Sequence, residues 1–187
     1  MGRILLCRQA RFPGKTYSVV EFLNEHKENA VIFTNISKLS NVPYTYIGTF
    51  DDLLNTDYSI YKDKQVIIFY DEIFTALTRN SRISPQVLAF LSQMRKRKII
   101  FLTTAQEWLE INITLRRYVR FQIDCSIHNF LGKSYLLKVF HDGDLIHWDN
   151  YVNDYVSPII ETTLSKMQIN VANSYDTYEV INSSKPK

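Results

Sequence analysis

The sequence predicts an α/β domain, a mainly parallel sheet flanked by helices, and three observations predict it. Strand-like apolar runs alternate with helical segments through the first two thirds of the chain. One run, Val66-Ile67-Ile68-Phe69-Tyr70, is continuous rather than alternating, which is the pattern of a strand covered on both faces. Gly14-Lys15-Thr16 opens the first helix, and Asp71-Glu72 closes the continuous run. Strands separated by crossover helices pair in parallel.

The elements follow in order. Residues 3–7 are a short apolar strand, and Pro13-Gly14 turns the chain into a helix over about 16–26 with Val19, Val20, Phe22 and Leu23 inward. Residues 30–34 form a second strand and 43–47 a short edge strand. Asp51 or Asp52 caps a brief helix through Leu54, and 65–70 is the buried strand. Ser84-Pro85 starts another helix, with an N-cap serine and proline at the first helical position, carrying Val87, Leu88, Leu91 and Met94 at helical spacing. A strand over 99–103, a helix over 107–117 and a strand over 118–125 complete the alternation. Residues 134–140 and 145–151 flank Asp142-Gly143, a hairpin signal. The chain then turns polar and rich in Asn, Ser and Thr. The expected division is a domain over 1–151, including that hairpin, and an extended or partly disordered tail over 152–187.

At 187 residues, with 45% hydrophobic and 13% aromatic content, the chain buries a sizeable core and is not globally disordered. A net charge of +3 does not by itself imply nucleic acid. Its distribution is informative: residues 94–120 hold seven Lys/Arg against Glu107 and Glu110, a local +5. Such a run is commonly a solvated face. Cys7 and Cys125 sit in apolar strands and read as buried thiols. The four histidines lack metal-ligand spacing. No apolar run approaches the ~20 residues that span a bilayer, so no membrane span is expected in this chain.

Gly14-Lys15-Thr16 carries the first piece of chemistry. Backbone N–H groups at a helix N-terminus cradle phosphates, a lysine reaches the β- and γ-phosphates, and a Ser/Thr hydroxyl ligates Mg²⁺. Pro13, Gly14, Lys15 and Thr16 are therefore the candidate phosphate-binding residues. The full motif places glycine at position 9, where this chain has Gln9, and Arg11 and Phe12 are bulky where small residues are usual. Asp71-Glu72 is the second piece: the aspartate holds Mg²⁺ and the glutamate orients or deprotonates the attacking water. The competing reading is a strand end capped by solvated acids. Thr103, Thr104, Ala105 and Gln106 lie at the tip of a second buried strand, where open parallel sheets bind ligands. Gln106 is the candidate to sense the γ-phosphate or hold water. Arg116 and Arg117 are candidates for an arginine supplied to a neighbouring subunit, with Arg120, Arg79 and Arg82 as others. Arg95 to Lys98 are candidates for non-specific DNA contact.

Taken in order, Gly14-Lys15-Thr16, Thr34-Asn35, Phe69-Tyr70-Asp71-Glu72, Leu91-Ser92-Gln93-Met94-Arg95, Thr104-Ala105-Gln106 and Leu115-Arg116-Arg117 resemble the FtsK/HerA-type DNA-pumping ATPases, and Tyr175-Asp176-Thr177 adds to the narrower likeness. More narrowly they resemble the Zot-like assembly ATPases of filamentous phages and small viral DNA-packaging ATPases. The resemblance implies a RecA-like P-loop NTPase fold and Mg-ATP hydrolysis. It also implies a homo-oligomeric ring, a hexamer or pentamer, that translocates DNA for packaging or export. Lys15 and Thr16 would bind phosphate and Mg²⁺, Asp71 and Glu72 would be the acidic pair, Gln106 the sensor, and Arg116 or Arg117 the arginine acting in trans. DNA and a virion or membrane-bound assembly partner are the expected partners. The expected location is the host cytoplasm, virion-associated or at the inner face of the membrane. Two other readings stay open. One is a non-hydrolysing P-loop-like assembly protein that binds DNA or capsid components, to which Gln9 points. The other is a small nucleotide kinase.

Overall fold

A computed structural model describes residues 3–8, 14–94 and 96–176. The described residues form ten strands and five α-helices, and strands and helices alternate in the first two thirds as expected. They are β1 (Arg3–Arg8), α1 (Lys15–His26), β2 (Ala30–Thr34), β3 (Thr45–Tyr46), α2 (Phe50–Asn55), β4 (Gln65–Tyr70), α3 (Pro85–Met94), β5 (Ile99–Ala105), α4 (Ile113–Arg116), β6 (Val119–Phe130), β7 (Lys133–Asp142), β8 (His147–Asp149), β9 (Asp154–Val156), β10 (Ile159–Lys166) and α5 (Ile169–Ala172). Eight of the strands form one sheet in the order β10-β7-β6-β1-β5-β4-β2-β3. From β6 to β3 every pairing is parallel, and β7 and β10 add antiparallel.

The continuous apolar run of β4 buries both faces of the sheet. Val66, Ile68 and Tyr70 enter the core beneath α2 and α3, and Ile67 and Phe69 enter the core beneath α1. Each such side chain contributes about 1.5–3 kcal/mol by leaving water. Tyr17, Val20 and Leu23 of α1 fill one side, and Val87, Phe90, Leu91 and Met94 of α3 the other. Ser84 accepts a hydrogen bond from the Val87 N–H at 3.3 Å ahead of Pro85, so α3 begins as its sequence dictates.

Four expectations change. The cap of α2 is Thr49, not Asp51 or Asp52. Thr49 Oγ1 accepts from the Asp52 N–H at 3.1 Å, and the Asp52 carboxylate accepts from the Thr49 N–H at 2.9 Å. The helix expected over 107–117 is broken: a short 3-10 turn (Trp108–Glu110) precedes α4, and Asn112 caps α4 by accepting from the Thr114 N–H at 2.9 Å. Asp142-Gly143 is not a hairpin turn. The hairpin joins β6 to β7 through Leu131 (φ 48°) and Gly132 (φ 71°), the positive-φ pair of a type I′ turn. Gly143 instead passes against the start of β6, where a Cβ would lie 2.4 Å from the Val119 carbonyl oxygen.

The fourth difference is at the C-terminus. Residue 151 is not a boundary: β8 and β9 form a two-stranded ribbon, β10 pairs with β7 along Ile159 to Lys166, and Val171 of α5 is buried in the α1-side core. Residues 177–187 lie outside the described residues.

Candidate functional site

The sheet order sets the site. β5 lies between β1 and β4, so the tip of β5 separates the start of α1 from the acidic pair at the end of β4. Gly14 holds φ 134° and ψ −19° as the N-cap of α1, a conformation open to glycine and strained for other residues. A Cβ there would also lie 3.0 Å from Leu136 Cδ1. The Gly14 carbonyl accepts from the Ser18 N–H at 2.8 Å and closes the first helical turn. Lys15 and Thr16 follow in that turn. Pro13, Gln9, Arg11 and Phe12 lie outside the described residues.

Asp71 is held at three points. Asn35, which is buried just past β2, accepts from the Asp71 N–H at 2.7 Å and donates to the Asp71 carbonyl at 3.1 Å. The Thr104 hydroxyl donates to the Asp71 carboxylate and accepts from the Glu72 N–H at 2.9 Å. Thr103 donates to the Tyr70 carbonyl at 2.7 Å. Glu72 takes a left-handed backbone conformation (φ 52°), and its carbonyl accepts from the Thr75 N–H and hydroxyl, both at 2.9 Å. That turn ends β4 abruptly at the acidic pair.

Burial raises the Asp71 carboxyl from 3.8 to about 6; the Thr104 hydrogen bond opposes this, the Glu72 charge adds to it, and the Lys15 charge opposes it. The Lys15 charge is the smallest of these influences on Asp71. Gln106 is exposed one residue past the end of β5.

Three contributing residues were not given roles from sequence. Asn35 and Tyr175 belong to the motifs that carry the resemblance, and Thr104 was passed over for Gln106. A polar residue directly after a strand expected from the sequence was the signal for each of Asn35 and Thr104. Tyr175 is brought to the site by the C-terminal segment. Tyr17 Oη accepts from the Gln168 N–H at 2.7 Å, Ser40 N–H donates to the Ser174 carbonyl at 2.7 Å, and Leu39 bridges Tyr175. Burial, then the Asp71 charge, push the Tyr175 phenol up to about 12.

Arg116, a candidate for the arginine acting in trans, packs within its own chain. Its guanidinium donates to the Leu109 carbonyl and the Ile111 carbonyl, each at 2.9 Å, and lies 5.7 Å from the Trp108 ring and 5.8 Å from the Tyr155 ring. It is engaged by its own chain, where it ties the loop after β5 to β9. Burial lowers its pKa. Arg120 pairs with Asp144. Arg117 is exposed. Arg95 lies outside the described residues.

The donor set bears on a metal. Among the described residues no cluster of three or more His, Cys, Asp or Glu side chains could hold one. Thr16 and Asp71 offer hard oxygen donors, and a buried carboxylate lacking full charge compensation suits a cation. Mg²⁺ characteristically takes one or two protein ligands and completes its shell with phosphate oxygens and water, so these residues fit it.

Among solved structures, the chain is similar to the N-terminal domain of zonular occludens toxin from Neisseria meningitidis, with TM-score 0.62 and 19% identity over 94% of this chain and 100% of that one. It is also similar to the genome packaging NTPase B204 from Sulfolobus turreted icosahedral virus 2 in complex with ATP-gammaS, with TM-score 0.58 and 9% identity over 88% of this chain and 97% of that one. B204, the DNA-packaging ATPase from Sulfolobus turreted icosahedral virus, gives TM-score 0.57 and 12% identity over 88% and 97%. No family model matches the chain, and no curated protein matches it. At these identities the likeness is one of fold. It is the RecA-like P-loop NTPase fold, as the resemblance in the sequence implied.

Proposed function

We propose that this protein hydrolyses Mg-ATP and uses the energy to move DNA in the packaging or export of a viral or mobile-element genome, acting as a homo-oligomeric ring. What supports the reading is the strand order, which sets the Gly14-Lys15-Thr16 turn and the Asp71-Glu72 pair on either side of the tip of β5, with the two acids held by Thr104 and Asn35. The likeness to a DNA-packaging ATPase supplies the DNA and the packaging role.

In this reading the first-turn N–H groups of α1 and the Lys15 ammonium bind the nucleotide phosphates. Thr16 and Asp71 would hold Mg²⁺, which would supply charge neutralisation to the nucleotide phosphates. Glu72 accepts the proton of the attacking water. Gln106 orients that water against the γ-phosphate. Arg117, exposed and outside the packed region that holds Arg116, reaches a neighbouring copy. Asp71 is ionised above pH about 6, so it is ready to ligate a cation at neutral pH. No helix among the described residues is long and apolar enough to cross a membrane.

A second reading, an assembly protein that binds nucleotide without turnover, is favoured by Gln9 in place of the motif's first glycine. Displacement of a labelled third strand from duplex DNA separates the two. Wild type with Mg-ATP should strip the strand while Glu72→Gln does not. A wild-type protein that binds DNA and ATP but displaces nothing supports the second reading.

A further inference from the structure

Two features of opposite charge stand on the α3 side of the sheet. One is the β8–β9 ribbon. Residues 143–158 contain three aspartates and no Lys or Arg. Asp144 pairs with Arg120, whereas Asp149 and Asp154 make no salt bridge among the described residues. These two stand directly opposite each other as the last pair of the ladder, and like charges so placed are destabilising. The turn fixes both carboxylates. Asp149 accepts from the Tyr151 N–H at 2.7 Å and the Val152 N–H at 3.4 Å, and Asp154 from the Tyr155 N–H at 2.7 Å. Between them the turn lifts Tyr151, 100% exposed, and Val152 into solvent. At the base of the ribbon Ile146 and Tyr155 pack against the α3-side core, and Trp148 meets the Tyr155 ring edge-on with centroids 5.2 Å apart.

The other is an open cavity of about 670 Å³ beside α3. Arg79, Arg82 and Arg117 line it and no acidic side chain does. None of the three makes a salt bridge among the described residues. Leu88 and Ile113, both exposed, and Tyr118 give it an apolar wall. Its frame is fixed, because Asn112, 2% exposed, donates to the Thr78 carbonyl at 3.0 Å and the Ser81 carbonyl at 2.8 Å. None of the ribbon's own residues lines it. A tip of Tyr151 and Val152 flanked by two acids thus matches, in polarity and sign, an apolar wall flanked by guanidinium groups. Aromatic anchors in such pockets carry much of the energy of protein–protein contacts, and complementary charge selects the partner.

We infer that the β8–β9 ribbon of one copy of this chain docks into the cavity beside α3 of a second copy, with Tyr151 and Val152 against Leu88 and Ile113, and Asp149 and Asp154 facing Arg79 and Arg82. The repulsion within each set of like charges is relieved when the two sets meet. Each copy has one ribbon and one cavity, so every contact is satisfied only in an assembly that closes on itself. The contact deepens the homo-oligomer reading above by giving it a surface, and it needs neither nucleotide nor DNA.

Sedimentation velocity of the full chain in EDTA, without nucleotide, over a protein-concentration and salt series tests it. Arg79→Glu with Arg82→Glu reverses the cavity, Asp149→Lys with Asp154→Lys reverses the ribbon, and circular dichroism verifies folding. Because Asp149 and Asp154 also hold their turn, Tyr151→Ser, at a fully exposed position, is the ribbon variant that leaves the turn intact. Wild type should self-associate, more weakly as salt rises. The cavity-reversed and Tyr151→Ser variants should each lose about tenfold or more in association constant. Mixing the two charge-reversed variants should restore association to within about threefold of wild type, since each ribbon then meets its complement. Association within about twofold of wild type in the folded cavity-reversed and Tyr151→Ser variants overturns the inference and leaves the homo-oligomer to another surface. A mixture of folded charge-reversed variants that associates no better than either alone overturns it as well. A wild type that stays monomeric across the series overturns the inference and the homo-oligomer reading together.

Discussion

Thr104 donates a hydrogen bond to the Asp71 carboxylate and with the same hydroxyl accepts one from the Glu72 backbone N–H. One side chain at the tip of β5 thus fixes both acids of the neighbouring strand. Thr104→Val keeps the shape and removes both bonds, which costs about 1–3 kcal/mol for the buried groups left unpaired. It also removes an interaction that holds the Asp71 pKa down. The acid limb of the pH–turnover profile, expected near pH 6 in wild type, should move to higher pH. An unmoved limb would mean that Asp71 is not the group that titrates.

Asp71 predicts a conflict between stability and activity. Its carboxyl stands at about 6 in the fold against an ordinary 3.8, a difference worth roughly 3 kcal/mol. Between those two pH values the folded chain binds more protons than the unfolded one, so this group makes folding less favourable as pH rises through the interval. Its cost is fully present above pH about 6 and absent below about 4. Asp71→Asn, which still accepts from Thr104, should raise Tm in nucleotide-free protein at pH 8, lose that gain at pH 4 and abolish turnover. Differential scanning calorimetry at the two pH values checks it.

Asn35 grips the Asp71 peptide on both sides. Asn35→Ala strands a partly buried N–H and carbonyl and should cost about 1–3 kcal/mol. It should lower kcat more than it raises the ATP KM, because Lys15 and the α1 turn are untouched. A rise in KM alone would place Asn35 in nucleotide binding instead.

Gly14→Ala puts a side chain on a residue with φ 134°, with its Cβ 3.0 Å from Leu136. Strain of about 1–3 kcal/mol follows. The α1 N-terminus must shift, and ATP affinity measured by calorimetry should fall at least tenfold. Affinity within twofold of wild type would show that phosphate is bound elsewhere.

Arg116 and Arg117 are neighbours in sequence with opposite expectations. Arg116→Gln loses charged hydrogen bonds to two carbonyls, worth about 1.5–3 kcal/mol each, and should lower Tm by about 6 °C or more. Arg117→Gln, at an exposed position, should shift Tm by less than about 2 °C. Equal effects would contradict the packing described for Arg116.

What the sequence made legible was local. The unbroken apolar run of β4 required two covered faces, and the core residues alternate to both sides. Ser84-Pro85 opened α3 by cap chemistry alone. The Asp71–Glu72 pair was legible because few packing needs put two acids at the end of such a strand. What failed depended on distant chain. Thr104 matters because β5 stands between β1 and β4, and strand order is not written in any one strand. Arg116 was a candidate for a neighbouring subunit, and its packing against Tyr155 of β9 comes from chain nearly forty residues away. The hairpin was misplaced because Leu131 adopts positive φ, which is unusual for leucine, whereas Asp142-Gly143 has the composition of a turn and serves a close backbone approach instead. Residues 152–176 read as polar tail because β10 is an edge strand with much of its surface in solvent.

Steady-state phosphate release with Mg-ATP, for wild type, Lys15→Ala and Glu72→Gln, tests most directly whether these residues form one hydrolytic site. The account predicts turnover in wild type, loss in both variants, retained ATP binding in Glu72→Gln and lost binding in Lys15→Ala. Wild-type turnover that survives in Glu72→Gln, or no turnover in a wild-type protein that binds Mg-ATP, would contradict it.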